Sequence, residues 1–223
     1  MSAGDGTSTL LRRQLVHGLE ALGLPATSLG NDQLLGYVSL LEKWNSAYNL
    51  TAIRDPADMV TRHLLDSLVG LPWVRGRVVD IGSGAGCPGV ALAIMNPALD
   101  MTLLDSNGKR IRFLRHVIAS LGLANVNVAQ TRVEDYRPSE KFDTLVARAF
   151  GSLSELLAAS VHLIAARGRI VAWKGTYPTT EISEVSAAGE YRCNVQRVFV
   201  PGLRAERHLL VMTSPRHSAA KQR

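Results

Sequence analysis

Only two cysteines occur in 223 residues, Cys87 and Cys193, and they stand far apart. That spacing excludes a disulfide framework and a paired-cysteine zinc site, and it suits a reducing compartment. No apolar run approaches the ~18 residues that a membrane-spanning helix needs. The stretch Met1 to Thr9 is small and polar, where an export signal would be basic and then apolar. No internal repeat is visible. These absences point to a cytoplasmic protein with no membrane partner and no resident metal. What is present is 46% apolar residues, enough for a proper core, in a chain the size of one domain. An excess of 25 Lys and Arg over 19 Asp and Glu, net +6, favours contact with a polyanion.

The first 72 residues read as helices, at Leu10 to Leu22, Asp32 to Tyr48 and Pro56 to Leu71, separated by turn signals such as Gly23-Leu24-Pro25. Within the second, Leu34, Leu35, Val38 and Leu41 follow helical spacing and mark a buried face. After Trp73, β-rich runs alternate with helical stretches. Strands are expected at Val78 to Ile81, Met101 to Leu104, Val126 to Ala129, Thr144 to Ala147 and Ile170 to Trp173. Helices are expected at Val90 to Met95, Lys109 to Leu121 and Leu153 to Ala165. This alternation implies a doubly wound α/β fold, a parallel sheet with helices on both faces. Asn194 to Val200 and His208 to Thr213, split by Pro201-Gly202-Leu203, add an antiparallel hairpin at the sheet edge. The organisation is thus a helical extension over 1–72, an α/β domain over 73–214 and a basic tail over 215–223.

The first strand runs into Asp80-Ile81-Gly82-Ser83-Gly84-Ala85-Gly86-Cys87-Pro88-Gly89, whose glycines let the backbone turn tightly and approach a ligand. Gly84, Gly86 and Gly89 also satisfy the dinucleotide pattern, with Asp105 21 residues after Gly84 as a ribose ligand. The dinucleotide reading therefore stays open. Against it, the turn begins earlier, at Gly82 and directly after Asp80, and a carboxylate there repels a pyrophosphate. The same carboxylate suits S-adenosylmethionine, which carries an ammonium and a sulfonium and no phosphate. Asp105 closes the second strand, where a carboxylate meets ribose hydroxyls in the crevice or caps the following helix. Thr131-Arg132-Val133-Glu134-Asp135 follows the third strand and offers an adenine-facing edge.

The fourth strand ends in Val146-Ala147-Arg148-Ala149-Phe150, without the Asn/Asp-Pro-Pro-aromatic tetrad common among enzymes that methylate exocyclic amines. Cytosine C5 chemistry needs a cysteine nucleophile, and both cysteines read as packing residues. A ring nitrogen with an in-plane lone pair needs neither device. Lys109, Arg110, Arg112 and Arg115 on one helix offer phosphate contacts, Lys109 and Arg110 nearest the crevice. Lys174 and Arg148 stand at or near strand ends, and Arg132 lies in the neighbouring loop. His63 and Asp66 share a helix face, either lidding the crevice or bonding packed helices. Trp44 and Tyr48, one turn apart, read as core packing ahead of base stacking.

The chain resembles the bacterial 16S ribosomal RNA guanine-N7 methyltransferases known as RsmG or GidB. The resemblance rests on Lys43-Trp44-Asn45-Ser46-Ala47-Tyr48-Asn49-Leu50-Thr51, Arg62-His63-Leu64-Leu65-Asp66-Ser67, the loop from Asp80 to Gly89, Leu103-Leu104-Asp105-Ser106-Asn107-Gly108-Lys109-Arg110, Arg148-Ala149-Phe150 and Glu206-Arg207-His208. Where many relatives carry Leu after the third glycine and Leu-Gly after Asp-Ser, this chain has Cys87 and Asn107-Gly108.

It implies an α/β, Rossmann-like class I methyltransferase, with a mostly parallel seven-stranded sheet, helices on both faces and the N-terminal helical extension. It also implies an S-adenosyl-L-methionine site at Gly82, Cys87, Val133, Glu134 and Arg148, to which Gly84 and Asp105 are added by the strand-end argument. The implied partner is 16S ribosomal RNA in the small subunit, methylated at N7 of a decoding-region guanine, and nothing demands more than a monomer. Guanine N7 is an unprotonated acceptor, so no catalytic base is expected. Substrate contacts are expected from His63, Asp66, Lys109, Arg110, Arg132 and Lys174. Asp66 either stabilises the developing ring charge or serves only the helix surface. An RNA regulator that binds S-adenosylmethionine or a dinucleotide without turnover is the alternative.

Overall fold

The computed structural model describes residues 3–189 and 191–214; the basic tail expected at 215–223 lies outside them. A seven-stranded sheet in the order β3-β2-β1-β4-β5-β7-β6 forms the centre. Its strands are β1 (Arg77–Ile81), β2 (Asp100–Asp105), β3 (Val126–Gln130), β4 (Phe142–Arg148), β5 (Ile164–Lys174), β6 (Arg192–Arg197) and β7 (His208–Thr213). The first five are mutually parallel, and β7 runs antiparallel between β5 and β6. The expected edge hairpin is therefore present. The strand order reverses between β1 and β4, the place where open α/β sheets leave a crevice at their carboxyl ends.

Before the sheet come α1 (Ala3–Ala21), α2 (Ser28–Tyr48), α3 (Pro56–Met59) and α4 (Asp66–Leu68), with one π-helical stretch, Val60–Leu65, between the last two. Within the sheet region follow α5 (Gly89–Met95), α6 (Gly108–Leu121), α7 (Leu153–Ser160) and α8 (Thr179–Ala188). Side-chain caps set several boundaries. Thr27 accepts from the Gly30 N–H at the start of α2, and Asp55 accepts from Ala57 ahead of Pro56. Asn107 caps α6, and Ser152 with Glu155 forms a reciprocal capping box on α7. Asn107 thus takes the capping role that the sequence left open for Asp105.

Strand residues alternate between two cores. Val78, Val146, Val171 and Trp173 face a large cluster with Leu15, Leu34, Leu41 and Leu64 of the N-terminal helices and Phe113 of α6. Val79, Leu145, Ile170 and Ala172 face the other side, against Leu153 and Leu156 of α7 and Val185 of α8. The N-terminal helices thus cover one face of the sheet and share its core. Trp44 rests on Tyr48, Phe113 and His116, with ring centroids 5.2, 5.6 and 5.4 Å away, which is the packing role expected for it.

Three segments depart from the sequence reading. The helix expected through Ala165 ends at Ser160, because Ile164 opens β5 opposite Phe142 and buries its side chain in the second core. The helix expected from Pro56 to Leu71 loosens to a π-helix across His63 and stops at Leu68, ahead of Gly70 and Pro72. α8 was not expected, since only Ile182 and Val185 pack inward from it. No helix among the described residues is long and apolar enough to cross a membrane.

Candidate functional site

The glycine loop leaves the carboxyl end of β1 and turns into α5, tied down on three sides. Ser83 N–H donates to Leu104 O of β2 at 3.0 Å, and Gly86 and Cys87 N–H return to Ser83 O. Gly84 N–H donates to Asp105 Oδ2 at 2.9 Å. From α2, the buried Tyr37 hydroxyl donates to Ala85 O at 2.7 Å and lies 3.1 Å from Cys87 Sγ. Gly86 has φ +102°, and a Cβ there would come within 2.6 Å of Val90 Cγ2 and 2.9 Å of Leu114 Cδ2. The loop is thus shaped by conformation and by crowding from behind.

Beside it opens a cavity of about 300 Å³, lined by Gly82, Asp105, Arg110, Arg132, Val133, Glu134 and Phe150. Asp105 is its organising anion. Its Oδ2 also accepts from Arg110 Nη1 at 3.2 Å, and its Oδ1 accepts from the Asn107 N–H at 2.8 Å. Arg132 and Glu134 face each other at 3.9 Å on the exposed rim.

Asp80 behaves differently from the sequence expectation. Its Oδ2 accepts from the Gly89 N–H at 2.8 Å beneath the loop, and its Oδ1 has no partner among the described residues. Burial pushes its pKa up to about 8 against the opposing effect of the Gly89 hydrogen bond, so the folded protein holds this proton far above the ordinary carboxylate range. The carboxylate that faces the cavity is Asp105; Asp80 pins the start of α5.

A second cavity, about 400 Å³, opens where β4 and β5 end. Arg62, His63, Asp66, Arg148, Lys174 and Arg207 contribute to its wall. Asp66 is buried at its centre and bridges two guanidiniums, accepting from Arg148 Nη1 at 3.3 Å and from Arg207 Nε at 2.6 Å. Arg148 also donates to Arg62 O at 3.0 Å and to His63 Nδ1 at 3.2 Å. An arginine has no acceptor, so Nδ1 accepts and His63 Nε2 carries the hydrogen, which Thr51 Oγ1 receives at 3.0 Å. Trp173 Nε1 donates to the Asp66 carbonyl at 2.8 Å. The π-helical turn sets His63 and Asp66 toward β4, and such turns often mark functional positions. Cys87 is buried close to this cluster: burial raises its pKa, but the Arg148 charge and His63 outweigh that and lower it.

A family model described as rRNA small subunit methyltransferase G matches residues 30–210. The chain belongs to that family. Among rRNA small subunit methyltransferase G relatives, the protein of Alkalilimnicola ehrlichii is 48% identical over 208 residues, covering 92% of this chain and 93% of its own. That of Chromobacterium violaceum is 48% identical over 206 residues, covering 92% and 98%. Two solved structures share the fold. The glycopeptide N-methyltransferase MtfA with S-adenosyl-L-homocysteine gives TM-score 0.56 at 10% identity, over 67% of this chain and 86% of that one. The complex of DhpI with S-adenosyl-L-homocysteine gives 0.54 at 19% identity, over 85% of this chain and all (100%) of that one. The protein is a methyltransferase with an α/β, Rossmann-like class I fold.

Within this member of the rRNA small subunit methyltransferase G family, the structure divides the expected site residues between the two cavities. Gly82, Asp105, Arg110, Arg132, Val133 and Glu134 meet in the first, with Gly84 bonded to Asp105. His63, Asp66, Arg148 and Lys174 meet in the second. Arg110, expected to reach a substrate, is ion-paired to Asp105 in the first cavity. Lys174 bonds Glu181 at 2.8 Å and the Gly151 carbonyl at 2.9 Å. Cys87 faces Tyr37 and lines neither cavity, while Lys109 is exposed at the first turn of α6. Arg207, Arg62 and Phe150 also stand in these walls, without a local sequence pattern that marks them. The Glu206-Arg207-His208 segment held the signal, but the contact of Arg207 with Asp66 spans 141 positions.

Proposed function

We propose that this protein transfers the methyl group of S-adenosyl-L-methionine to N7 of a guanine in the decoding-region loop of 16S ribosomal RNA, acting in the cytoplasm on the small ribosomal subunit. The observation that carries this reading is the pair of cavities at the carboxyl ends of the central strands, one built on Asp105 and the other on the Asp66, Arg148 and Arg207 cluster. The first suits a nucleoside with a cationic centre and no phosphate, since its buried anion is a carboxylate at a strand end.

When bound, the cofactor supplies an electrophilic methyl group on a sulfonium. Asp105 would accept hydrogen bonds from the ribose hydroxyls, and Val133 and Glu134 would border the adenine. Gly82 and Gly84 keep the loop free of side chains on the ligand side, with Cys87 holding the loop's back against Tyr37. Arg148, at the end of β4 and in the wall of the second cavity, would provide the cation for the methionine carboxylate.

The acceptor guanine enters the second cavity. N7 carries its own lone pair, so no residue has to remove a proton, and the protein's task is alignment and exclusion of water. Asp66 lies between two arginines, which leaves the cluster net positive; it acts as a tether holding them and the π-helical turn in place. His63 and Lys174 shape the wall, and Lys109, Arg110 and Arg132 border the first cavity's side of the approach for the RNA backbone.

The test is incubation with methyl-labelled S-adenosylmethionine and purified small subunits, with 7-methylguanine mapped by chemical strand scission. Label is expected in one guanine of the small-subunit RNA. Label confined to protein or small molecules would overturn the proposal.

A further inference from the structure

β6 ends at Arg197 and β7 begins at His208, and these two residues lie opposite each other in the antiparallel pair. His208 in turn pairs with Lys174, the last residue of β5. The connection over residues 198–207 therefore emerges at the same sheet edge as Asp105 and Arg148.

This connection is anchored. Val200 is buried, Leu203 packs on the large core, Val198 N–H donates to Arg207 O at 2.9 Å, and Arg207 is fixed to Asp66. From the anchored frame Phe199 projects with 71% of its surface exposed. It borders a concavity of about 580 Å³ made by the connection itself, into which Arg197, Arg204 and Arg207 also face.

A single exposed aromatic is ordinary on a protein surface; what distinguishes Phe199 is that the anchored connection holds it beside a concavity walled by arginines. The charges indicate what such a face binds. Arg207 is paired with Asp66, and the 3.4 Å pair of Arg197 with Glu206 is exposed on both sides and therefore weak. The Arg204 side chain is exposed and pairs with no described residue. An aromatic face among arginines on a rigid frame is the arrangement that binds single-stranded nucleic acid, by stacking a base and holding the phosphates beside it. Arg207 belongs to the walls of both this concavity and the acceptor cavity, so the two form one basic path.

We infer that the β6–β7 connection docks the single-stranded RNA flanking the acceptor guanine, with Phe199 as the stacking platform for a neighbouring base and Arg204 as a phosphate contact. The inference rests on the ribosomal RNA methyltransferase reading.

The experiment compares wild type with Phe199→Ala, Phe199→Tyr and Arg204→Ala. It measures affinity for purified small subunits and for a single-stranded RNA oligonucleotide of the target loop across a salt series, with melting temperature and S-adenosylmethionine affinity as controls. Phe199→Ala is expected to weaken RNA binding about tenfold and Phe199→Tyr to restore it, with both controls unmoved. Arg204→Ala is expected to reduce the salt slope by about 0.7 on the single strand. In turnover, the larger part of the Phe199→Ala loss falls in KM for the subunit.

Wild-type-like binding and methylation by Phe199→Ala would overturn this inference alone. Weakening on intact subunits but not on the oligonucleotide would assign the face to a ribosomal protein and overturn it as well. A wild type that leaves subunit RNA unlabelled overturns both this inference and the reading beneath it.

Discussion

Arg207 Nε donates to Asp66 Oδ1 at 2.6 Å, joining the β6–β7 connection to the helix that precedes the sheet. Arg148 Nη1 approaches the other oxygen of the same carboxylate, so one buried anion holds the ends of three separate elements. All three residues stand in the wall of the second cavity.

Removal of Asp66 leaves two poorly solvated guanidiniums facing each other. Asp66→Ala is expected to lower stability by about 3–5 kcal/mol in urea unfolding, because breaking one side of a buried pair strands the other charges. Arg207→Ala leaves Arg148 as a partner and is expected to cost about 1–2 kcal/mol. An Asp66→Ala midpoint equal to wild type would show that the bridge contributes nothing.

Asp105 and Lys109 lie four positions apart but are expected to separate in function. Asp105→Ala removes a ribose acceptor and the acceptor of the Gly84 N–H, so S-adenosylmethionine affinity in calorimetry should fall about 10- to 100-fold. Lys109→Ala should leave that affinity unchanged and reduce the salt slope of subunit binding by about one phosphate contact. The opposite pattern of defects would refute the assignment of these residues to cofactor and RNA.

Asp80 makes stability depend on pH in a sense opposite to that of a salt-bridged carboxylate. Its folded pKa of about 8 lies above the ordinary unfolded value near 3.9, so the folded state binds the proton more tightly. Its contribution is complete below the unfolded value and is lost as pH rises toward and through about 8. Asp80→Asn cannot ionise and keeps an acceptor for the Gly89 N–H. The melting temperature of wild type should therefore fall more steeply with rising pH than that of Asp80→Asn; parallel curves would exclude this role.

Two loop glycines differ in why they are glycine. Gly84 has φ +58° with nothing nearer its virtual Cβ than Gly82 O at 3.8 Å, so Gly84→Ala is expected to cost only the left-handed strain, about 1–2 kcal/mol. Gly86→Ala adds overlap with Val90 and Leu114 and is expected to cost about 3 kcal/mol or more in equilibrium unfolding. Equal losses for the two would show that crowding behind the loop is relieved without cost.

The central strands were legible because parallel strands buried on both faces are short β-branched and aliphatic runs, and Val78, Val79 and Ile81 or Leu145, Val146 and Ala147 have few other places to go. The edge hairpin was legible from Pro201-Gly202-Leu203, although β6 stops at Arg197 where the pattern ran on to Val200. α8 was not, since its inward face is too sparse to give a period. That Asp105 meets the glycine loop was legible because their relation is set by adjacent strand ends. The charge state of Asp80 was not, because desolvation depends on everything packed around the group.

By itself the sequence determined the alternation of strands and helices, the glycine turn, the carboxylate one strand over and the family, because each depends on local conformation or on ordered short segments. Tertiary structure alone decided that Asp80 is buried with its pKa raised, that Arg110 belongs to Asp105, and that Asp66 joins Arg148 to Arg207. Those facts come from contacts spanning up to 141 positions and from the exclusion of water, neither of which leaves a periodic trace along the chain.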